Sequence, residues 1–443
     1  MLTLATIPAV PQAAAADTAQ ICYVLLTLDA GGQTRALPVS WAFVADASRS
    51  MQIPIVTEAV FRELIRSGGA QEVLVDGVPV WQIPSELPPD VLAAAPSALD
   101  YVARALHTIL ERLDGEDRFA LIACAEAAVP LARSGSGVDR AGLAAAIGRL
   151  RWMDLGEQTD LALGMELGMR ELRASYGQHH AARLLLLTDG FTQRPEACLE
   201  LARAAAAEGV AISTIGVGGE FADGLLTALA DVSGGRALFV QEAAAIPRAV
   251  AAELAASRAI AARRVTLELT PLGGAQIRRV TRVRPALAPL HDALAAHAVP
   301  LALGDLGATP LTLLVELLLP PRAVGRYALL RAMYGAAGES QRVASVEVTH
   351  TPTPAALAPT VADAAARAAI GRMQLRAADA LRAGDRAGAA QLLAQTAQRL
   401  DAIGEPALAA LSRAQAEAAR RGTASGVDAR TIVYETRRLS ANG

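Results

Sequence analysis

The stretch from Val39 to Met51 places the strongest constraint on the fold of this chain. It reads VSWAFVADASRSM, in which an almost wholly apolar run, Val39 to Ala45, is followed by Asp46, Ser48 and Ser50 at alternate positions. A short apolar run without polar alternation is typical of a central parallel strand that is covered on both faces. The loop after such a strand lies at the carboxyl edge of the sheet, where open α/β sheets bind their ligands.

The three polar side chains of this loop are hard oxygen donors. One carboxylate and two hydroxyls that converge from a tight loop can bind an octahedral cation such as Mg²⁺. The same Asp/Ser-rich pattern can also form a turn that caps the next helix, because these side chains accept hydrogen bonds from the first backbone N–H groups of a helix. The loop alone leaves both interpretations open.

Two further positions favour the metal interpretation. Thr159 lies at a loop-to-helix junction in LGEQTDLALGM, and Asp189 follows a second apolar strand, Leu184 to Leu187, in RLLLLTDG. Asp-x-Ser-x-Ser, then a Thr at the start of a helix, then strand-Thr-Asp-Gly resembles the metal-ion-dependent adhesion site of von Willebrand factor A domains. The combination in this order is specific, whereas each piece alone would be weak. The resemblance extends from about residue 37 to residue 256.

The resemblance implies a site that uses Mg²⁺, with Mn²⁺ and Ca²⁺ as alternatives, to capture an Asp or Glu side chain of a protein partner. It implies that Ser48 and Ser50 bind the metal directly. Thr159 would bind directly or through water, and Asp46 and Asp189 mostly through water. With only two charges, such a site should bind the metal weakly by itself. A carboxylate from the partner would then complete the coordination.

The loop before the predicted threonine ligand departs from the family pattern. It carries Glu157-Gln158 where small glycines are common, so Glu157 is expected to compete for the metal or to restrict access to it. We regard Glu157 and Arg49 as candidate partner-binding residues. Trp81 and Trp152 flank the predicted binding face, and they either pack against the domain or contact the partner.

An insertion at residues 51–93 separates the metal loop from the next family-like helix. Its pattern predicts a short helix, 57–66, and a hairpin around the turn Asp76-Gly77. Because it leaves directly from the metal loop, the insertion is a surface elaboration, a lid over the metal or a partner-recognition element. Beyond it, strands and helices alternate, which predicts an α/β doubly wound, Rossmann-like sheet of six strands.

Two further folding units are expected outside this α/β domain. Alternating apolar runs after it predict a β-sandwich, which the strand Ile21–Leu28 is expected to join. An Ala-rich region with Gly breaks then predicts a C-terminal α-helical bundle. The predicted organisation is an N-terminal segment (1–36), a von Willebrand factor A domain (37–257), a β-sandwich (258–350), a helical bundle (355–421) and a tail (422–443).

Composition limits the classes of function. The net charge of −3 argues against a general polyanion binder. Cys22, Cys124 and Cys198 lie inside apolar patterns without ligand-like spacing, which is typical of buried thiols in a reducing compartment. The N-terminus lacks a positive region, and Pro8 and Pro11 interrupt its apolar run. We therefore expect a cytoplasmic protein that contacts neither nucleic acid nor membrane.

The sequence predicts no enzyme. Ser48 stands where a haloacid-dehalogenase-like phosphotransferase needs a second Asp, and no Gly-x-Ser-x-Gly elbow occurs between a strand and a helix. The family resemblance instead implies a Mg²⁺-dependent protein-binding scaffold or adaptor in a bacterial ATPase-linked, defence or signalling system. Two alternatives stay open. One is a structural assembly subunit with a vestigial metal site, and the other is an adaptor of a MoxR- or chelatase-type AAA+ ATPase.

Overall fold

The computed structural model contains a six-stranded sheet, two five-stranded sheets, two two-stranded sheets and helices. It describes residues 2–8, 12–14, 17–31, 35–36, 38–55, 58–67, 69–75, 78–82, 95–136, 139–175, 180–189, 192–218, 223–240, 242–353, 355–356 and 358–423. The strands are β1 (Thr3–Pro8), β2 (Gln12–Ala14), β3 (Gln20–Asp29), β4 (Arg35–Ala36), β5 (Val39–Asp46), β6 (Gln71–Val75), β7 (Val78–Gln82), β8 (Arg118–Cys124), β9 (Ala128–Ser136), β10 (Ala181–Thr188), β11 (Val210–Val217), β12 (Ala237–Val240), β13 (Ala259–Ile260), β14 (Ala262–Pro271), β15 (Gln276–Arg284), β16 (Ala288–His291), β17 (Val299–Leu306), β18 (Leu311–Leu319), β19 (Gly325–Gly335) and β20 (Arg342–Thr351). The helices are α1 (Arg49–Gln52), α2 (Glu58–Arg66), α3 (Ala98–Leu110), α4 (Arg140–Leu150), α5 (Leu161–Ser175), α6 (Pro195–Glu208), α7 (Asp223–Ser233), α8 (Ile246–Arg258), α9 (Pro359–Arg382), α10 (Arg386–Ala402) and α11 (Pro406–Arg421).

The six-stranded sheet is the predicted α/β doubly wound unit. Its strand order is β12-β11-β10-β5-β8-β9, and all neighbours are parallel except the edge pair β8 and β9. Helices α3, α4 and α8 cover one face, and helices α5, α6 and α7 cover the other. This arrangement places the predicted strand β5 at the centre of the sheet.

All eight residues of β5 are buried, because each face of the strand packs against a separate layer of helices. Trp41 and Phe43 point into one core, where their rings stack with centroids 5.2 Å apart. Ala42 and Val44 point into the other core, beneath helix α5. The absence of polar alternation in the sequence therefore reflects burial on both faces.

Helix α5 lies unusually close to β5, and two glycines permit this approach. A Cβ atom at Gly164 would lie 2.5 Å from Cγ1 of Val44, and one at Gly168 would lie 2.9 Å from Cδ1 of Leu184. Because no side chain fits in this space, the helix packs with its backbone near the sheet. The close packing fixes the start of α5 at Leu161, two residues after Thr159.

We expect Gly164→Ala to lower the free energy of unfolding by about 1–2 kcal/mol, because overpacking outweighs the better helix propensity of alanine. Gly148 is a matched control, since it also lies inside a helix but a Cβ atom there would have nothing within 4 Å. Gly148→Ala should raise the free energy of unfolding by about 0.5–1 kcal/mol, because alanine favours the helix more than glycine does. Urea denaturation of both variants measures the difference, and equal effects would contradict the close packing.

The two five-stranded sheets are built from segments on both sides of the α/β unit. One has the order β1-β3-β18-β15-β16 and the other β17-β14-β19-β20-β2, and apolar residues from both contribute to one hydrophobic core. The predicted strand Ile21–Leu28 is β3, which pairs with β18. The chain enters and leaves the α/β unit through β4 and β13, which pair with each other.

These sheets contact the α/β unit away from the carboxyl ends of its strands. Arg183, near the start of β10, forms an ion pair with Asp305 of β17 at 2.7 Å, and both side chains are buried. Arg282 of β15 pairs with Asp231 of α7 at 2.8 Å. The carboxyl edge, where the metal loop emerges, therefore lies at the far end of β10 from the Arg183 contact.

Helices α9, α10 and α11 form the predicted C-terminal helical unit. Helix α9 packs against β3, β15 and β18 through Val361, Ala364 and Ala368. The predicted breaks are turns, with Gly384 and Gly404 both at φ +79°. Within the described ranges, no helix combines the length and apolar character needed to cross a bilayer.

The insertion contains the predicted helix and hairpin. Helix α2 ends at Arg66, and β6 pairs with β7 in an antiparallel two-stranded sheet. The predicted turn Asp76-Gly77 lies outside the described residues. Whether this insertion recognises a partner or covers the site stays a prediction.

Candidate metal-binding site

The parallel register brings the ends of the central strands to one place. Ala45 of β5 lies opposite Leu187 of β10 and Ala123 of β8. Asp46 at the end of β5 therefore lies beside Thr188, and the loop that follows Asp46 emerges next to Asp189. This register explains why polar residues far apart in the sequence meet at one edge.

Asp46 is fully buried and is held by uncharged donors. Its Oδ1 atom accepts a hydrogen bond from the Ser48 backbone N–H at 2.9 Å. The Thr159 hydroxyl donates to both carboxylate oxygens at 3.2 and 3.1 Å, and the Thr188 hydroxyl donates to Oδ2. Burial raises the pKa of Asp46, and these hydrogen bonds offset only part of that effect. Within the described part of the chain, Asp46 forms no ion pair.

Ser48, Ser50 and Asp189 form a second hydrogen-bonded group of the site, which runs from the buried Ser48 to the exposed Ser50. The Oγ atoms of Ser48 and Ser50 lie 3.1 Å apart, and the Ser50 hydroxyl donates to Oδ1 of Asp189 at 2.9 Å. Ser48 occupies the N-cap position of α1, yet its side chain makes no capping hydrogen bond. The helix-capping interpretation of the loop is therefore wrong for this hydroxyl, which faces Ser50 instead.

Burial and the nearby Asp46 carboxylate raise the pKa of Asp189 to about 6 from an ordinary value of 3.8. In the absence of metal, the Asp189 carboxyl group therefore holds its proton more tightly in the folded chain than in the unfolded chain. We expect the free energy of unfolding in EDTA to fall as the pH rises from about 4 to about 6. Asp189→Asn should remove this part of the pH dependence, as measured by urea denaturation across the range. An unchanged pH dependence in the variant would contradict the raised pKa.

The loop before Thr159 is shaped by an acidic residue of the neighbouring strand end. Oε1 of Glu126 accepts hydrogen bonds from the backbone N–H groups of Glu157 and Gln158 at 3.1 and 3.3 Å. Gly156 has φ +106°, and a Cβ atom there would lie 2.6 Å from Cδ of Glu126. Glu126 therefore holds the loop in a conformation that presents the Thr159 hydroxyl to Asp46.

The candidate partner-binding residues lie around this group. The Glu157 carboxylate accepts a hydrogen bond from Arg49 at 3.0 Å, and both side chains are largely exposed. Its expected competition for the metal stays a prediction, although Arg49 engages the carboxylate. Trp152 is 77% exposed, so it contributes little to the core. The side chain of Trp81 in β7 lies outside the described residues.

Sequence reasoning missed three residues that organise the site. They are Gln52, Glu126 and Thr188. Thr188 could have been found, because it precedes Asp189 at the end of a buried strand, where a hydroxyl needs a nearby acceptor. The side-chain amide of Gln52 donates to the backbone carbonyl of Met153, and the Glu126 carboxylate accepts from the backbone of Glu157 and Gln158. No local sequence pattern reveals such contacts.

The donor set fits a small hard cation. Two neighbouring ligands of an octahedral Mg²⁺ ion, bound at about 2.1 Å, lie about 3.0 Å apart. The Oγ atoms of Ser48 and Ser50, the two residues implied as direct ligands, are 3.1 Å apart. The Asp46 carboxylate also raises the pKa of Asp189, and a cation between them would relieve this repulsion. No cluster of three or more His, Cys, Asp or Glu side chains suited to a metal occurs among the described residues.

The three cysteines do not take part in the site. Cys22, Cys124 and Cys198 are buried, as predicted, and burial raises their pKa values to about 11, 12 and 11. They are therefore protonated at neutral pH and poorly suited to bind metal or to act as nucleophiles.

Comparison with known proteins agrees with this fold. The model of the von Willebrand factor type A domain matches residues 94–252, which begins after the insertion and leaves the Asp46 loop outside the match. The model of the Sll0103-like, C-terminal alpha-helical domain matches residues 359–442. No curated protein matches the chain by sequence.

Two solved structures resemble the whole chain. The von Willebrand factor type A protein from Catenulispora acidiphila is 17% identical, with a TM-score of 0.74 over 98% of this chain and 96% of that chain. The ArnB paralog VWA2 from Sulfolobus acidocaldarius is 13% identical, with a TM-score of 0.55 over 100% of both chains. At these identities the similarity establishes the fold alone. The chain contains a von Willebrand factor type A domain and a C-terminal α-helical domain of the Sll0103-like type.

Proposed function

We propose that this protein is a non-enzymatic scaffold or adaptor whose von Willebrand factor A domain binds a protein partner through a Mg²⁺-dependent adhesion site. The observation that carries the proposal is the convergence of Asp46, Ser48, Ser50, Thr159 and Asp189 in one hydrogen-bonded group at the carboxyl edge. The two carboxylates of this group have no ion-pair partner among the described residues. This is the arrangement expected of a site that binds a cation.

We assign the residues of the site to two roles, direct binding of the ion and orientation of the groups that bind it. Ser50 is exposed and Ser48 is buried, but their Oγ atoms lie 3.1 Å apart, and we assign both hydroxyls to binding the ion directly. The Asp46 carboxylate accepts hydrogen bonds from the Thr159 hydroxyl and the Ser48 backbone, and we assign it to orienting these two groups. Asp189 orients Ser50 in the same way.

The charge of the site explains why a partner is needed. When bound, Mg²⁺ supplies a positive centre that accepts hard oxygen ligands. Asp46 and Asp189 are assigned to orienting roles, so the protein ligands that touch the ion directly are neutral hydroxyls, and water fills the other positions. A carboxylate from the partner would therefore replace water, and metal binding and partner binding would strengthen each other by linkage. We propose an Asp or Glu of another protein as that ligand, from an AAA+ ATPase or a component of a defence system.

The surrounding architecture supports a scaffold. The two five-stranded sheets, which we interpret as a β-sandwich, contact the α/β unit near Arg183 at the start of β10. The metal loop follows the opposite ends of the strands, and we propose that a partner binds at that edge. A rigid body would then present the site on one side and further surfaces on the other.

A comparison of partner capture in Mg²⁺ and in EDTA tests this function. The full chain and its Ser48→Ala variant would be used as bait in a native lysate. We expect a partner that is retained in Mg²⁺ and lost in EDTA and with the variant, because both changes remove the metal. Arg413→Ala, a surface change far along the chain in α11, should retain it. Partners that persist in all conditions would contradict the proposal and favour the structural assembly subunit.

A further inference from the structure

Three large apolar side chains lie exposed beside the metal loop. Ile53, Ile55 and Trp152 are 61%, 40% and 77% exposed, and we call them the apolar rim. Ile53 and Ile55 follow helix α1, which contains the predicted ligand Ser50. Because apolar side chains this large are normally buried, a group of them beside a binding site indicates an interaction surface.

Specific hydrogen bonds hold the apolar rim together. The side-chain amide of Gln52 donates to the carbonyl of Ala47 in the metal loop at 2.9 Å and to the carbonyl of Met153 at 2.8 Å. One nitrogen atom thus joins the metal loop to the segment that carries Trp152. The backbone N–H of Ile55 donates to the carbonyl of Pro96 at 3.2 Å, which fixes the far end of the rim.

Cationic side chains accompany this surface. The Arg151 guanidinium lies over the Trp152 ring at 5.2 Å from its centroid and pairs with Asp100 at 3.4 Å. Asp100 belongs to helix α3, whose N-cap residue Ser97 forms a backbone bridge with Pro54. Because Pro54 lies between Ile53 and Ile55, the start of α3 lies beside the apolar rim. Arg49, between the two serines of the loop, is also largely exposed. Both cations are already paired within the chain, Arg151 with Asp100 and Arg49 with Glu157, so the negative charge of a ligand is required by the proposed metal and not by these neighbours.

We propose that the partner presents a loop in which the metal-binding Asp or Glu lies close to a large apolar residue, and that this residue packs on the apolar rim. The inference rests on the proposed function and adds the second determinant of the partner. Ser50 and Ile53 are three residues apart, so their Cα atoms lie at most about 11 Å apart. An extended partner segment covers this distance in about three residues.

The rim also supplies selectivity. Any exposed carboxylate can approach a metal, whereas only a segment with an apolar residue at the right spacing also covers Trp152 and Ile53. Tryptophan is a frequent centre of binding energy in protein interfaces. A carboxylate on the metal and an apolar residue on the rim would together distinguish one protein loop from other loops that carry only an acidic residue.

Selection from a phage-displayed library of random linear peptides tests this inference. The full chain would be panned in Mg²⁺, bound phage eluted with EDTA, and the same panning done on the Ser48→Ala chain. We expect enriched peptides to carry Asp or Glu two to four positions from Trp, Phe, Leu or Ile. For one enriched peptide, fluorescence anisotropy should show about thirtyfold weaker binding to Trp152→Ala.

Two controls separate the rim from the metal site. Trp152→Ala should keep the same thermal stabilisation by Mg²⁺ as the unchanged chain, since the oxygen donors of the proposed site belong to Asp46, Ser48, Ser50, Thr159 and Asp189. Leu294→Ala should bind the peptide normally, because Leu294 is similarly exposed, at 58%, but belongs to the β-sheet part of the chain.

The possible results distinguish this inference from the proposed function. Peptides that need Mg²⁺ and an acidic residue, but have no apolar preference and bind Trp152→Ala equally well, would overturn the inference and leave the function standing. Peptides that need Trp152 but bind equally in EDTA would overturn the function and with it the inference. No enrichment above the Ser48→Ala chain would overturn both.

Discussion

Replacing Arg183 with alanine is expected to lower the free energy of unfolding by about 3–5 kcal/mol, the cost of leaving a buried charge without its partner. Arg183 and Asp305 are 2.7 Å apart, with side chains only 7% and 8% exposed. The variant would leave the Asp305 carboxylate buried, with the backbone N–H of Arg264 as its remaining donor. Urea denaturation of the full chain measures the loss.

Arg413→Ala is the matched control for this prediction. Arg413 pairs with Asp401 at the same distance of 2.7 Å, but both side chains are about half exposed. Because solvent screens exposed pairs, the control should change the free energy of unfolding by less than about 1 kcal/mol. Similar losses in the two variants would mean that the Arg183 pair is as well solvated as the surface pair.

The Arg183 pair also tests how the parts of the chain depend on each other. It joins the start of β10 to β17, whereas the candidate site follows the end of β10. Arg183→Ala should therefore reduce stability while the remaining folded protein still responds to Mg²⁺. Loss of the Mg²⁺ response in the folded variant would mean that the docking of the two units shapes the metal loop.

Much of the α/β fold could be predicted because its signals are local. The almost wholly apolar run of β5 and the acidic, hydroxyl-rich loop after it identify a central strand and its carboxyl end. The helical breaks at Gly384 and Gly404 are local too, since each glycine adopts a positive φ. The structure also brings together the five residues that the family resemblance selected, although their roles as ligands stay a prediction.

Features that depend on distant pairing could not be predicted. The apolar N-terminal run was expected only as a flanking segment, yet Thr3–Pro8 forms the strand β1 at the edge of a sheet. Glu157 was expected to compete for the metal or to restrict access to it, which stays a prediction, but its hydrogen bond with Arg49 across 108 positions of sequence was not foreseen. In each case the deciding contact lies far along the chain. A periodicity or motif describes only neighbours in sequence, so it carries no information about such contacts.

Replacing Asp46 with asparagine is expected to separate metal binding from folding. At neutral pH without metal, the variant should be more stable than the unchanged chain, because the buried carboxylate has a raised pKa and no ion-pair partner among the described residues. An asparagine Oδ1 atom can still accept the N–H of Ser48. The hydroxyls of Thr159 and Thr188 can rotate to accept from the new amide group.

The response to Mg²⁺ should show the opposite effect. With Mg²⁺ at about a hundred times its dissociation constant, the unchanged chain gains about 2.7 kcal/mol of stability, as any ligand that binds only the folded state provides. Asp46→Asn should lose nearly all of this gain, because the amide cannot neutralise the ion. Thermal unfolding in EDTA and in a Mg²⁺ series measures both effects.

Retained stabilisation by Mg²⁺ in the Asp46→Asn variant would show that the ion binds elsewhere. A destabilised variant in EDTA would show that the carboxylate is needed for folding, and would contradict the view that its buried charge is tolerated for the sake of a cation.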